Sequence, residues 1–99
     1  MSLLRTVVFE HRVDEAIRRA LVRWPVAGQI VRAIEWTLAR DPLFGEELDH
    51  ERGIRGFVYP GAVSIGEPDV DVIYEVHQRS VVILDMIFSE PDARYAGRA

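Results

Sequence analysis

Two short stretches of this sequence place a histidine beside carboxylates, a combination that can bind metals or move protons. Asp49, His50 and Glu51 follow one another directly, and Glu75 precedes His77 by two residues. A divalent ion needs ligands that converge from several directions, and three consecutive side chains do not converge without help from elsewhere. Glu75 and His77 share one strand face and could exchange a proton. We expect both groups to be solvated, and we predict no metal site.

The remaining composition excludes several kinds of catalytic site. The chain has no cysteine, which rules out a disulfide scaffold, a thiolate zinc site and a cysteine nucleophile. No serine has the histidine and aspartate context of nucleophilic catalysis, and no glycine run follows a strand to hold a phosphate. The sequence therefore predicts no cofactor.

Length and hydropathy favour one folded domain. The 99 residues suffice for one modest core, and 48% hydrophobic with 28% charged residues is ordinary for a globular protein. No apolar run approaches the roughly 20 residues of a membrane span, and the amino terminus lacks the pattern of a signal peptide. We expect a single domain over residues 1–99, located in the cytoplasm.

Charge is distributed unevenly along the chain. All 12 basic residues are arginine, and the formal net charge is −4. Residues 1–40 hold seven arginines against four acids, whereas residues 41–99 hold five arginines against twelve acids. Phosphate binding requires clustered basic side chains, so any nucleic-acid surface is expected in the first half.

The first half of the chain predicts a strand followed by a helical hairpin. Leu3–Phe9 is short and rich in β-branched and aromatic residues, which is typical of strands. From Asp14, a suitable N-cap, apolar residues recur at helical spacing until Pro25 interrupts them. Pro25 suits the first turn of a second helix, which Asp41-Pro42 ends. The apolar stripe of this second helix is Ala27, Ile30, Val31, Ile34 and Leu38.

The second half predicts a loop and then strands. Residues 41–53 carry five acids and two glycines with little periodicity, so we predict a loop with Leu48 as its anchor. Ile54–Tyr59 is predicted to be a strand. From residue 70 the side chains alternate with a period of two, and the core side of that strand is expected to hold Val70, Val72, Tyr74 and Val76.

The last apolar run, Val81–Phe88, follows a short connection and is predicted to be the antiparallel partner in a hairpin. Beyond it, residues 89–99 are predicted to be a flexible tail. The helical hairpin needs an apolar surface to cover. We therefore expect the stripe of the second helix to pack on Val72, Tyr74, Val76, Leu84 and Met86.

Several sequence features after the helical hairpin occur together in one known family: Asp41-Pro42, Gly45, Leu48, Arg55, Val58, Val72-Ile73-Tyr74-Glu75-Val76 and Val81-Val82-Ile83-Leu84. With the predicted order of elements, they resemble the RelE/ParE superfamily of bacterial toxins. The resemblance implies an α+β fold of order β-α-α-β-β-β. In it an antiparallel sheet of about four strands packs against the helical hairpin.

The resemblance also implies a function. Members are toxins of type II toxin-antitoxin pairs that cleave mRNA on the ribosome or inhibit gyrase, and a cognate antitoxin is their partner. For cleavage it implies Arg55 for stabilising transition-state charge and Tyr95 for proton transfer or stacking. The sequence departs from the family pattern at two places. Asp71 stands where the family has an arginine, and residues 89–91 stand where the family has basic residues.

Two hypotheses about function therefore stand. The first is a toxin, and the second is a catalytically inert protein of the same fold that acts as a binding or oligomerisation module. The acidic second half repels RNA and favours the second hypothesis. Opposite charges on the two halves also suit self-association, so we predict a homodimer or a heteromer.

Overall fold

Two α-helices and five strands form the part of the chain that the computed structural model describes, residues 4–91. A 3-10 turn, Val63–Ile65, lies before the fourth strand. The α+β class is confirmed, with one strand more than predicted. The elements in chain order are β1 Thr6–Phe9, α1 His11–Arg23, α2 Ala27–Arg40, β2 Glu46–Asp49, β3 Ile54–Tyr59, β4 Asp69–Val76 and β5 Ser80–Ser89.

The strands form one open sheet in the order β1-β5-β4-β3-β2. β1 runs parallel to β5, with Val7 opposite Val81, and the other neighbouring strands are antiparallel. The sheet is therefore mixed and five-stranded, and the prediction of an antiparallel sheet of about four strands was only partly right. Parallel neighbours need a long connection, and here both helices and three strands separate them in sequence.

The helices pack against one face of the sheet, and their bounds differ slightly from those predicted. α1 begins at His11, because the Glu10 N–H donates to the Ile83 carbonyl oxygen at 3.1 Å and the chain turns directly into the helix. Asp14 thus lies in the first turn of α1, and its prediction as N-cap was wrong. Pro25 lies in the turn that precedes α2. The predicted stripe of α2 is confirmed, since all five residues are buried.

The core lies between α2 and the middle of the sheet. Val72, Tyr74 and Met86 belong to it as predicted, and Val76 packs against it while partly buried. Leu84 does not belong to the buried cluster, and that prediction was wrong. The pairing of β4 with β5 passes from Ile73–Asp85 to Tyr74–Ile83, so Leu84 is the extra residue of a β-bulge. The residues of β5 in the buried core are Val81, Ile83 and Met86, and Phe88 packs against it while partly buried.

The strand that the sequence did not predict is β2, which lies inside the segment predicted to be a loop. Glu46 pairs with Gly56 and Glu47 with Arg55, which places β2 at the edge of the sheet beside β3. Leu48 is 54% exposed and is not the buried anchor that the sequence predicted. Charged side chains on an edge strand discourage pairing with other chains, which is a role that the acids of β2 suit.

Candidate interaction surfaces

A buried tyrosine fastens the segment between α2 and β2 to the sheet. The Tyr74 hydroxyl donates a hydrogen bond to the Pro42 carbonyl oxygen at 2.8 Å and accepts one from the Gly45 N–H, also at 2.8 Å. Tyr74 itself is completely buried in β4. Its polar group is therefore satisfied inside the core, and the two hydrogen bonds determine where β2 begins.

Arg55, the predicted catalytic residue of β3, is part of the same arrangement. Its Nε donates to the Gly45 carbonyl oxygen at 2.8 Å, and its Nη1 lies 3.5 Å from a carboxylate oxygen of Glu47. The side chain is only 19% exposed. Arg55 therefore holds the edge strand in place, and its catalytic role stays a prediction. The other predicted site residue, Tyr95, lies outside the described residues, as does most of the predicted 89–99 tail.

Two tyrosines of this region hold their protons more tightly than usual. Burial raises the pKa of Tyr74, and the nearby Arg55 and the Gly45 N–H oppose that effect only in part. Burial and a hydrogen bond to Glu67 raise the pKa of Tyr59. Both phenols are thus neutral hydrogen-bonding groups at ordinary pH, and neither geometry suits a general base.

We expect the raised pKa of Tyr74 to make stability fall in alkaline solution. The folded protein binds this proton more tightly than the unfolded chain, so the contribution is fully present below the unfolded pKa of about 10 and is lost as pH rises through the folded pKa. Urea unfolding between about pH 9 and 11 measures the loss. Tyr74→Phe should flatten that slope, and an unchanged slope in the variant would contradict the assignment.

The sheet face away from the helices carries exposed apolar side chains. Cross-strand partners share a face, so the register places Val8 and Val82, Ile73 and Gly56, and Val58 on this surface, which we call the open face. A side chain at Gly56 would meet both Leu48 and Ile73, so Leu48 lies there too. The large apolar side chains of the open face that are about half exposed are those of Val8, Leu48, Val58 and Ile87.

Carboxylates surround these apolar residues. Glu46, Asp71, Glu75 and Asp85 lie on the open face by the same register, and no strand residue of that face is basic. Glu75 pairs with His77 at 2.7 Å and lies 3.9 Å from Arg52. The carboxylates of Glu46, Asp71 and Asp85 make no hydrogen bond or ion pair with residues 4–91. The open face is therefore apolar and acidic, a combination unsuited to binding RNA.

The two histidines that the sequence places beside carboxylates, His50 and His77, each pair with one nearby glutamate. His50 Nδ1 lies 2.9 Å from Glu47 rather than converging with Asp49 and Glu51. Among residues 4–91 no three histidine, aspartate or glutamate side chains are arranged to hold a metal ion. His77 lies just after the last residue of β4, so it does not share a strand face with Glu75 as predicted, although the two side chains pair at 2.7 Å. The proton-transfer role of the pair stays a prediction.

The fold and these surfaces define a class: a two-layer α+β protein with helices on one sheet face and an apolar, acidic surface on the other. Comparisons of the chain with protein-family models, curated proteins and solved structures found no match. Neither helix in the described part of the chain is long and apolar enough to cross a membrane.

Proposed function

We propose that this chain is a protein-binding module with a RelE/ParE-like fold, whose open face binds a basic amphipathic helix of a partner. The observation that carries the proposal is the composition of β5. Its run of apolar residues is nearly continuous, as in strands that are covered on both faces, yet the helices of this chain cover one face only. A second helical layer on the open face would bury the other side of β5.

The apolar and acidic side chains of the open face indicate what kind of partner helix could cover it. A helix that covers Val58, Ile73 and Val82 has to present apolar side chains to them. It also lies close to Asp71 and Asp85, whose carboxylates make no hydrogen bond or ion pair with residues 4–91. Arginine or lysine on the flanks of that helix would pair with both carboxylates, whereas acidic flanks would be repelled. The partner is therefore apolar along one stripe and basic beside it.

Binding of a synthetic amphipathic leucine-lysine helix, measured by calorimetry, tests the proposal. We expect a leucine-glutamate helix of the same length to bind at least tenfold more weakly, about 1.4 kcal/mol. Val58→Ser should weaken binding of the basic peptide several-fold. The matched control is Val63→Ser, since Val63 is 56% exposed against 59% for Val58 but lies outside the sheet. Equal losses in the two variants, or equal binding of both peptides, would refute the open face as the site.

The second candidate is the toxin of a type II pair, an mRNA-cleaving or gyrase-inhibiting protein inhibited by an antitoxin. The sequence resemblance supports it, as does the order of elements, which differs from the implied order only by β2. Against ribonuclease chemistry stands Arg55, whose guanidinium is engaged by Gly45 and Glu47. If expression in a bacterial host arrests growth and Arg55→Ala relieves the arrest while the variant stays folded, the toxin function replaces the binding module.

A further inference from the structure

The solvent side of α2 carries an aromatic residue between two cations. The buried stripe of α2 leaves Trp36 on the opposite side of the helix, where it is 60% exposed. Arg32 and Arg40 are also exposed and lie four residues before and after Trp36, so the three side chains follow one another along the helix. Glu35, the one acid of α2, is turned about 100° away from Trp36 around the helix axis. We call Arg32, Trp36 and Arg40 the basic row.

The basic row is held in place at one end and free at the other. The guanidinium of Arg40 lies over the Trp36 ring, 3.9 Å from its centroid, and its Nη1 donates to the Trp36 carbonyl oxygen at 3.1 Å. These contacts limit the freedom of both side chains. Arg32 makes no hydrogen bond or ion pair with residues 4–91. The row thus offers an oriented apolar ring and a free cation, and covering the ring would be favourable.

The open face has a row of the opposite charge. Asp71, Ile73 and Glu75 alternate with core residues of β4, so they lie side by side on the open face. We call these three residues the acidic row. Asp85 lies opposite Ile73 on β5 and adds a further carboxylate beside the middle of the row. The acidic row therefore has an apolar residue at its centre and an acid at each end.

The two rows also have the same length. Eight residues of helix separate Arg32 from Arg40, which is about 12 Å. Four residues of strand separate Asp71 from Glu75, which is about 13 Å. A helix that lies along β4 with its aromatic residue on Ile73 therefore brings one guanidinium to each carboxylate. Each row has the same charge at both ends, so the match holds for either direction of the helix.

We propose that the basic row of one copy of this chain docks on the acidic row of a second copy, so that the chain associates head to tail. This docking rests on the function proposed for the open face, because it names the helix that covers that face. A copy that is bound through its open face keeps its own α2 free. The contact is therefore heterologous and adds further copies until a ring closes or a fibre grows.

A second copy suits the basic row better than nucleic acid or an anionic membrane does. Arg40 covers one side of the Trp36 ring, which leaves only the other side for stacking with a base. A helix that binds a membrane needs a broad apolar side toward the lipid, and α2 turns its broad apolar side to the core. The net charge of −4 also opposes the approach of the whole chain to either polyanion.

Two variants that each remove one half of the contact test the inference by sedimentation velocity. Trp36→Glu disrupts the basic row and leaves the open face intact, whereas Asp71→Arg reverses a charge of the acidic row and leaves α2 intact. We expect the wild-type chain to associate as its concentration rises, and less so at high salt. Each variant alone should associate at least tenfold more weakly, equivalent to 1.4 kcal/mol.

An equimolar mixture of the two variants distinguishes head-to-tail contact from a symmetric dimer. The intact α2 of the Asp71→Arg protein can still dock on the intact open face of the Trp36→Glu protein. The mixture should therefore form a 1:1 heterodimer and nothing larger, because no second pair of intact surfaces remains. Mixing Arg32→Glu with Val58→Ser repeats the experiment at two other exposed positions, so that a folding defect in one variant does not decide the outcome.

The matched controls carry the same kinds of change outside both rows. Val22→Glu places an acid at an apolar position of α1 that is 87% exposed, and Glu51→Arg reverses an exposed charge in the turn after β2. Both should change self-association less than twofold. Equal losses in the controls, a wild-type chain that stays monomeric at every concentration, or a mixture that associates no better than either variant alone would overturn the inference.

The leucine-lysine helix separates this inference from the function of the open face. If the copies associate as expected, the peptide should dissociate them by occupying the acidic row. If the peptide binds a chain that does not self-associate, the open face remains a helix-binding surface and its partner is not a second copy. If neither the peptide nor a second copy binds, both proposals are refuted.

Discussion

Ile34→Ala is expected to lower the free energy of unfolding by about 2 to 5 kcal/mol. Ile34 is 3% exposed and lies in the middle of the buried stripe of α2, within the cluster that includes Val72 and Tyr74. Truncation removes buried methyl groups and leaves a cavity that the strands beneath cannot fill. Urea unfolding followed by tryptophan fluorescence measures the change.

The neighbouring Glu35→Ala is the control, because Glu35 is exposed on the same helix. We expect its effect to stay within about 0.5 kcal/mol. If Ile34→Ala were as mild as this control, α2 would not be packed on the sheet as described.

Gly45→Ala is expected to destabilise the protein by about 3 kcal/mol, because the new methyl group has no space. A Cβ at Gly45 would lie 2.8 Å from the Gly56 carbonyl oxygen and 2.9 Å from the Tyr74 hydroxyl. The segment would have to move away from β4, and both hydrogen bonds of the Tyr74 hydroxyl would be weakened. Thermal and urea unfolding both report this loss.

Gly28→Ala provides the contrast for Gly45→Ala. A Cβ there would lie 3.5 Å from the nearest side-chain atom, an ordinary contact, and Gly28 is in α2. Alanine is favoured over glycine in a helix by about 1 kcal/mol, so this variant should be neutral or more stable. A similar loss in both variants would contradict the steric argument at Gly45.

The elements with strong periodicity could be predicted from sequence. The stripe of α2 and the alternation of β4 depend on apolar spacing, which reflects directly which side of an element is buried. β2 could not be predicted, because its residues have little preference for strands and it forms only by pairing with β3. Leu84 was placed wrongly because a bulge leaves no mark in the pattern of an almost wholly apolar strand.

The open face was accessible from sequence only in part. The apolar run of β5 is a signal for a strand buried on both sides, and Asp71 was visible as an acid in an alternating strand. The place of Leu48 on this face was not predictable, because Leu48 lies there only through the pairing of β2 with β3. That pairing depends on tertiary packing and not on local sequence preference.

The position of β5 between β1 and β4 affects how the chain folds during synthesis. Among the strands of residues 4–91, β5 is the last to leave the ribosome, yet it joins β1, the first of them, to the rest of the sheet. Until residues 80–83 have emerged, β1 has no neighbour in the sheet. Neither helix has its full packing surface until the rest of β5 has followed. Contacts between such distant parts of a chain form slowly because a long loop must close. We therefore infer that the nascent chain keeps part of its apolar helix stripe exposed until β5 has emerged, a state in which chaperones have a binding site.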